Sequence, residues 1–247
     1  MVEGYSWVPP GLTGTRVEEY MRQLPQEKVP KLGGSHGERY RERQLQLQLP
    51  KQDLSSKYCS HLEPVHQISY NAFVSARNDV ALDVGHVLDT CKQRGTCAAC
   101  HKTVPAGSVA VVAPKLGPFV VYHPGCFTCH TCRELLVDLT YCVYQDNLYC
   151  ERHYAEKIKP RCGTCDELIF SGTYTRAMGR DWHTNHFTCW HCDGKLTGQR
   201  YVLTDTRPTC ITCYETHFAS SCSTCGKMIG LDSRDMSYKV NYFKYFP

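Results

Sequence analysis

The residues with the clearest chemistry are cysteines and histidines spaced two apart. Along the chain they read Cys97-x2-Cys100-x22-His123-x2-Cys126, a gap of two residues, then Cys129-x2-Cys132-x17-Cys150-x2-His153. The pattern returns as Cys162-x2-Cys165-x17-His183-x2-His186, a gap of two, then Cys189-x2-Cys192-x17-Cys210-x2-Cys213. Thiolate sulfur and imidazole nitrogen are donors that zinc favours, and zinc takes four of them in a closed tetrahedron. A two-residue gap lets both side chains of one tight turn face the same ion. Each run of eight donors therefore makes two sites, taken in chain order. The expectation is four structural zinc ions.

The same count argues against catalysis. A catalytic zinc keeps one position open for water, whereas every quartet here supplies four protein donors. No G-x4-G-K-[ST] phosphate loop occurs in the chain. RING-type ubiquitin ligases also place eight donors on two zincs. They interleave their pairs and usually carry Cys third, where both units here have His. The 17 cysteines are odd in number and no export signal opens the chain, so a disulfide framework fits less well than metal-held thiolates.

The remaining Cys and His residues have plainer readings. His130 and His191 sit inside x2 turns as exposed non-ligands, and His101 and His217 have no partner at ligand spacing. Cys59, Cys91 and Cys142 read as packed thiols.

Two regions must position these residues. Residues 1–92 contain only Cys59 and Cys91. Val17, Tyr20, Met21 and Leu24 recur at helical spacing between Thr15 and Leu24. A polar helix is expected from Gly37 to Leu49, and another from His61 to Ala76 with Val65, Ile68, Ala72 and Phe73 on one side. Pro25, Pro30 and Pro50 break the chain. The second region is an internal repeat: C-x2-C openings fall at Cys97, Cys162 and Cys222, with eight residues between His153 and Cys162 and again between Cys213 and Cys222. Aligning YHPGCFTCHTC (122–132) with WHTNHFTCWHC (182–192) equates His183 with His123 and His186 with Cys126. Tyr122/Trp182 and Phe127/Phe187 keep their places, as aromatic packing between metal-held hairpins requires.

Net charge is +4 over 247 residues, too small and too interspersed with Glu and Asp for a nucleic-acid footprint. Lys28, Lys31, Arg39, Arg41 and Arg43 read as a solvated helix face, interrupted by Glu27, Glu38 and Glu42. No apolar run approaches the roughly 18 residues of a membrane span. A soluble intracellular protein is expected.

The ligand order, its two-residue bridge and its aromatics resemble the LIM domain. YSWVPPGL (5–12), EEYMRQLPQEKVPKLG (18–33) and RQLQLQLPKQD (43–53) resemble the PET domain of testin and prickle proteins, closer in this region to testin. ELLVDL (134–139), KPRCGTCDELIF (159–170) and His186 resemble that family's first two LIM domains. The resemblance implies a small α-rich PET domain at 1–92 and LIM domains at 97–153 and 162–213. Each LIM domain would be paired β-hairpins around two zincs, with short helices at Tyr154–Lys157 and Tyr214–Phe218.

A third LIM domain begins at 222–247. Its Cys222 and Cys225 have no further Cys or His after them, so it reads as cut short, with a redox pair as the lesser alternative. The family implies a non-enzymatic adaptor for cytoskeletal, adhesion or polarity proteins, cytoplasmic and at cell junctions or adhesions. A nuclear cofactor acting through protein contacts, without touching nucleic acid, is the alternative. PET–LIM contact within the chain is a further expectation.

Modules this small bury too little apolar surface to fold unaided, and structural zinc supplies about 10–16 kcal/mol of apparent binding free energy. A strong chelator is therefore expected to unfold residues 97–213. Unchanged circular dichroism and protease resistance of that segment after full metal removal would refute it.

Overall fold

The computed structural model describes residues 4–33, 36–220, 226 and 238–241. Cys222, Cys225 and most of the expected third module lie outside them. The chain divides into two units, Met1–Tyr58 with Gln67–Ile158, and Cys59–His66 with Lys159–Pro247.

In the first unit the apolar stripe after Gly14 forms α1 (Thr15–Arg22), which buries Val17, Tyr20 and Met21. Helix α2 (His36–Gln48) is the polar helix expected there, and it turns amide side chains inward. Its inward residues are Gly37, Gln44 and Gln48, while Leu47 stays exposed. Gly37 is obligatory: a Cβ there would lie 1.7 Å from the Val29 carbonyl oxygen. Pro50 then opens the single turn α3 (Lys51–Leu54).

The helix expected from His61 is shorter. A 3₁₀ turn spans Pro64–His66, and α4 runs Gln67–Ala76. Its buried face is Tyr70 and Phe73, whereas Val65 and Ile68 are 74% and 82% exposed. The Tyr70 hydroxyl donates to the Gln52 carbonyl at 3.0 Å, which turns this face onto α3. One π turn, Arg77–Ala81, follows.

The end of this region is extended rather than helical. Strands β1 (Leu82–Val84) and β2 (His86–Leu88) flank Gly85. Beyond them come β3 (Gly95–Thr96), β4 (Thr103–Val104), β5 (Ala110–Val112), β6 (Val121–Tyr122), β7 (Thr140–Tyr144) and β8 (Asn147–Tyr149), then α5 (Glu151–Ile158). All pairings are antiparallel, in sheets β1-β7-β8, β2-β5-β6 and β3-β4. One short segment thus supplies an edge strand to two sheets. Gly85 is the hinge between them: its N–H donates to the Leu139 carbonyl at 2.7 Å, and a Cβ would crowd the Phe127 ring at 3.0 Å.

The second unit repeats the plan with β9 (Thr173–Ala177), β10 (Arg180–Trp182), β11 (Tyr201–Thr204), β12 (Arg207–Cys210) and α6 (Ile211–His217). The backbone of β13 (Tyr238–Asn241) pairs with β9, giving sheets β10-β9-β13 and β11-β12. Three hairpins close on two residues of positive φ: Gln145–Asp146 (48° and 57°), Met178–Gly179 (54° and 69°) and Asp205–Thr206 (50° and 66°). Such turns match the right-handed twist of the strands they join. Helices α5 and α6 start earlier than expected because the last donor pair nucleates them. The Cys210 sulfur caps α6 by accepting from the Cys213 N–H at 3.3 Å.

The helical region grips the strip ELLVDL (134–139) by polar contacts. Glu134 accepts from Lys28 at 2.6 Å and from the Tyr40 hydroxyl at 2.7 Å. Arg41 holds Asp138 bidentately, at 3.0 and 2.7 Å. Buried Gln48 donates to the Leu135 carbonyl at 2.8 Å and accepts from the Val137 N–H at 3.0 Å. Its amide serves the strip as a neighbouring strand would. Deeper, Arg77 pairs with Glu151 at 3.3 Å, both side chains no more than 6% exposed, and donates to the Asp53 carbonyl at 2.8 Å.

Removing Gln48 would leave two buried backbone groups unpaired, each worth about 1–3 kcal/mol. Gln48→Ala should lower stability by about 2–5 kcal/mol in denaturant unfolding, while Leu47→Ala should change it by less than about 0.5 kcal/mol.

Candidate metal centres

Each quartet begins with the same backbone turn. In the first, the Cys97 N–H donates to the Lys102 carbonyl and the His101 N–H to the Cys97 carbonyl, both at 2.9 Å. Cys129 with Glu134 and Arg133, Cys162 with Glu167 and Asp166, and Cys189 with Gly194 and Asp193 repeat it at 2.8–3.0 Å. The residue after the second cysteine is left-handed every time: His101 (φ 59°), Arg133 (61°), Asp166 (61°) and Asp193 (56°). None is glycine, so the turn holds a conformation that costs about 1–2 kcal/mol per L-residue. Two-residue spacing on this turn is what points both sulfurs the same way.

The structure brings together the donors in the expected sets: Cys97, Cys100, His123 and Cys126; Cys129, Cys132, Cys150 and His153; Cys162, Cys165, His183 and His186; Cys189, Cys192, Cys210 and Cys213. Within each set all donor atoms lie within 4.8 Å of one another. Consecutive pairs combine, where a RING would combine alternate ones. With zinc bonds of about 2.0–2.3 Å, the edge of a tetrahedral donor set is about 3.3–3.8 Å. The observed separations lie at or close to that edge: Cys100 Sγ–His123 Nδ1 3.4 Å, Cys129 Sγ–His153 Nδ1 3.6 Å, Cys162 Sγ–His186 Nδ1 3.3 Å and Cys192 Sγ–Cys210 Sγ 4.0 Å. The donor chemistry and spacing fit zinc.

Surrounding groups prepare the donors. The Nε2 of His123 lies 3.1 Å from the Thr103 carbonyl oxygen, which leaves Nδ1 to face the sulfurs. Backbone N–H groups reach the sulfurs directly, from His183 to Cys162 at 3.4 Å and from Cys210 to Cys189 at 3.3 Å. At Cys189 burial opposes ionisation, but the N–H groups of Cys210, Cys192 and His191 outweigh it and bring the thiol down to about 7. His183 is pushed down to about 4 by burial and by the neighbouring His186 and His61, which keeps it in the neutral, ligating form.

Between the two quartets of each module sits an aromatic trio. Phe127 packs edge-on against Tyr122 and Tyr141 at 5.5 and 5.6 Å. Phe187 meets Trp182 and Tyr201 at 5.5 and 5.2 Å. Both phenylalanines are fully buried. Tyr141 and Tyr201 escape a reading centred on the ligand motif, although each lies nine residues before its Cys150 or Cys210.

Cys91 and Cys142 are buried, Cys59 is half-buried, and none belongs to a quartet. His130 and His191 are exposed. The His61 ring also reaches this site, 4.2 Å from that of His186. Nothing in ligand spacing could reveal it, because it lies over a hundred residues upstream.

A helical clasp on a repeated module with eight metal donors per repeat defines a PET–LIM protein. The PET domain family matches residues 1–88, and the LIM domain family matches 97–158 and 162–218. The chain belongs to this family. It is 44% identical over 239 residues to Prickle-like protein 1-A of Xenopus laevis, 45% over 237 to Protein espinas of Drosophila pseudoobscura pseudoobscura, and 43% over 239 to human Prickle-like protein 1. Each match covers 96% of this chain but only 28–30% of the relative. The LIM domains and their Cys/His clusters indicate zinc binding.

The strained turns are testable. Arg133 is exposed, so Arg133→Gly should raise the thermal stability of the metal-loaded protein by up to about 1 kcal/mol, and Arg133→Val should lower it by about as much or more. Equal melting temperatures for the two variants would contradict this.

Proposed function

We propose that the chain is a non-catalytic scaffold whose LIM modules are held by four structural zinc ions, one in each quartet, and bind other polypeptides. The observation that carries this is what the module edges already do. In the first unit β7 and β5 accept β1 and β2 from the same chain, and in the second β9 accepts β13. Antiparallel addition of an extended segment to a sheet edge is a general mode of peptide recognition, with the backbone giving affinity and alternate side chains giving selectivity.

Four protein donors per ion leave no coordination position for a substrate, which supports a structural role. Kinship with the prickle-like relatives supports partners in polarity complexes, with adhesion and actin-associated proteins as neighbouring classes, on the cytoplasmic side of cell contacts. A net charge of only +4, interspersed with Glu and Asp, favours polypeptide over nucleic-acid partners.

Proximity labelling with the wild-type chain beside Cys162→Ala tests the reading. Polarity and junction proteins should be enriched by the wild type, and the set that depends on the second LIM domain should be lost in the variant. An unchanged partner list would argue against a zinc-dependent scaffold.

A further inference from the structure

The third quartet differs from the others in charge. It carries two thiolates, Cys162 and Cys165, where the first two carry three and the fourth has four. A zinc ion there is less neutralised by its ligands and so remains the strongest Lewis acid of the set. Beside it sits a further imidazole. A ring nitrogen of His61, the Cys165 sulfur and a Glu167 carboxylate oxygen all lie within 4.8 Å of one another, the same limit the quartets meet.

His61 is placed by the metal-binding turn itself. The Glu167 carboxylate accepts the Ser60 N–H at 2.6 Å and the His61 N–H at 3.1 Å. The Glu167 carbonyl meanwhile accepts the Cys162 N–H at 2.9 Å, closing the turn between the two cysteines. Glu167 is buried and its oxygens are used in this clasp, so the carboxylate acts as a fixture and the imidazole is the available donor. The His61 ring stands perpendicular to His186 at 4.2 Å and 6.3 Å from His183. A cleft of about 350 Å³ lined by His61, His66, His183 and His186 gives these rings room to turn.

We infer that His61 is a reserve ligand of the third quartet, exchanging with His186 for one coordination position on the metal. The exchange moves one neutral nitrogen donor out and another in, so the charge of the site is unchanged and no proton or electron is transferred. It links occupancy of the second LIM domain to the seating of residues 59–66. The inference rests on the zinc reading of the quartets.

The test uses the full chain loaded with ¹¹³Cd²⁺ and labelled with ¹⁵N-histidine. In the wild type the third ion should couple to His183 and His186. In His186→Ala the coupling should move to the His61 ring. His61→Ala should then weaken metal binding at that site at least tenfold more in the His186→Ala background than in the wild type. The other three ions report whether the protein stays folded.

Absence of any His61 coupling in His186→Ala, or equal effects of His61→Ala in both backgrounds, overturns the exchange and leaves the zinc reading intact. A wild type that holds no ion on Cys162, Cys165, His183 and His186 overturns both.

Discussion

Four donors converging on one point are the constraint on which the LIM modules depend. Each half-module is too short to bury much apolar surface, so its conformation must be imposed from the metal-binding positions outward. The turn around the C-x2-C pair that opens each quartet fixes the direction of two sulfurs and holds the next residue in left-handed backbone. The closing pair starts a helix, as the sulfur of Cys210 shows by capping α6. With both ends fixed, the intervening hairpins have little freedom left. Phe127 and Phe187 then fill the space between adjacent centres, each at the middle of its module's aromatic trio.

The PET region solves a different problem. It has a modest apolar supply and gains order from polar groups that meet a specific partner. Lys28, Tyr40, Arg41 and Gln48 each find a counterpart in the strip from Glu134 to Asp138. The corresponding strip of the second LIM domain, Gly194 to Gly198, reads GKLTG and has no carboxylate at either end. The clasp is therefore specific for the first module. Asp138 makes the contrast plain: it holds φ 51° where its counterpart is Gly198, and Arg41 compensates by bidentate pairing.

The donor sets were legible because coordination chemistry reads out directly as spacing, and the repeat placed His186 opposite Cys126 without ambiguity. Aromatic positions beside the ligands were legible for the same reason. Elements defined by distant partners were not. Leu82–Leu88 is too short and too interrupted by Gly85 to announce two strands, and it becomes extended by pairing with β7 and β5. Gln44 and Gln48 look like solvent-facing residues until the strip that consumes the Gln48 amide is in place. Val65 and Ile68 carry an apolar signal that Pro64 and the Tyr70 contact override.

The covalent closeness of β1 and β2 to the module they cover has a competitive consequence. An extended segment tethered by a short linker acts at an effective concentration of order millimolar, whatever the amount of protein in solution. A foreign peptide seeking the same edges of β7 or β5 must outbid that local supply or wait for the tether to open. The first LIM domain thus sets a high affinity threshold for edge-binding ligands. Ligands that meet it would be admitted at a rate set by departure of residues 82–88, independent of their own abundance once they are in excess.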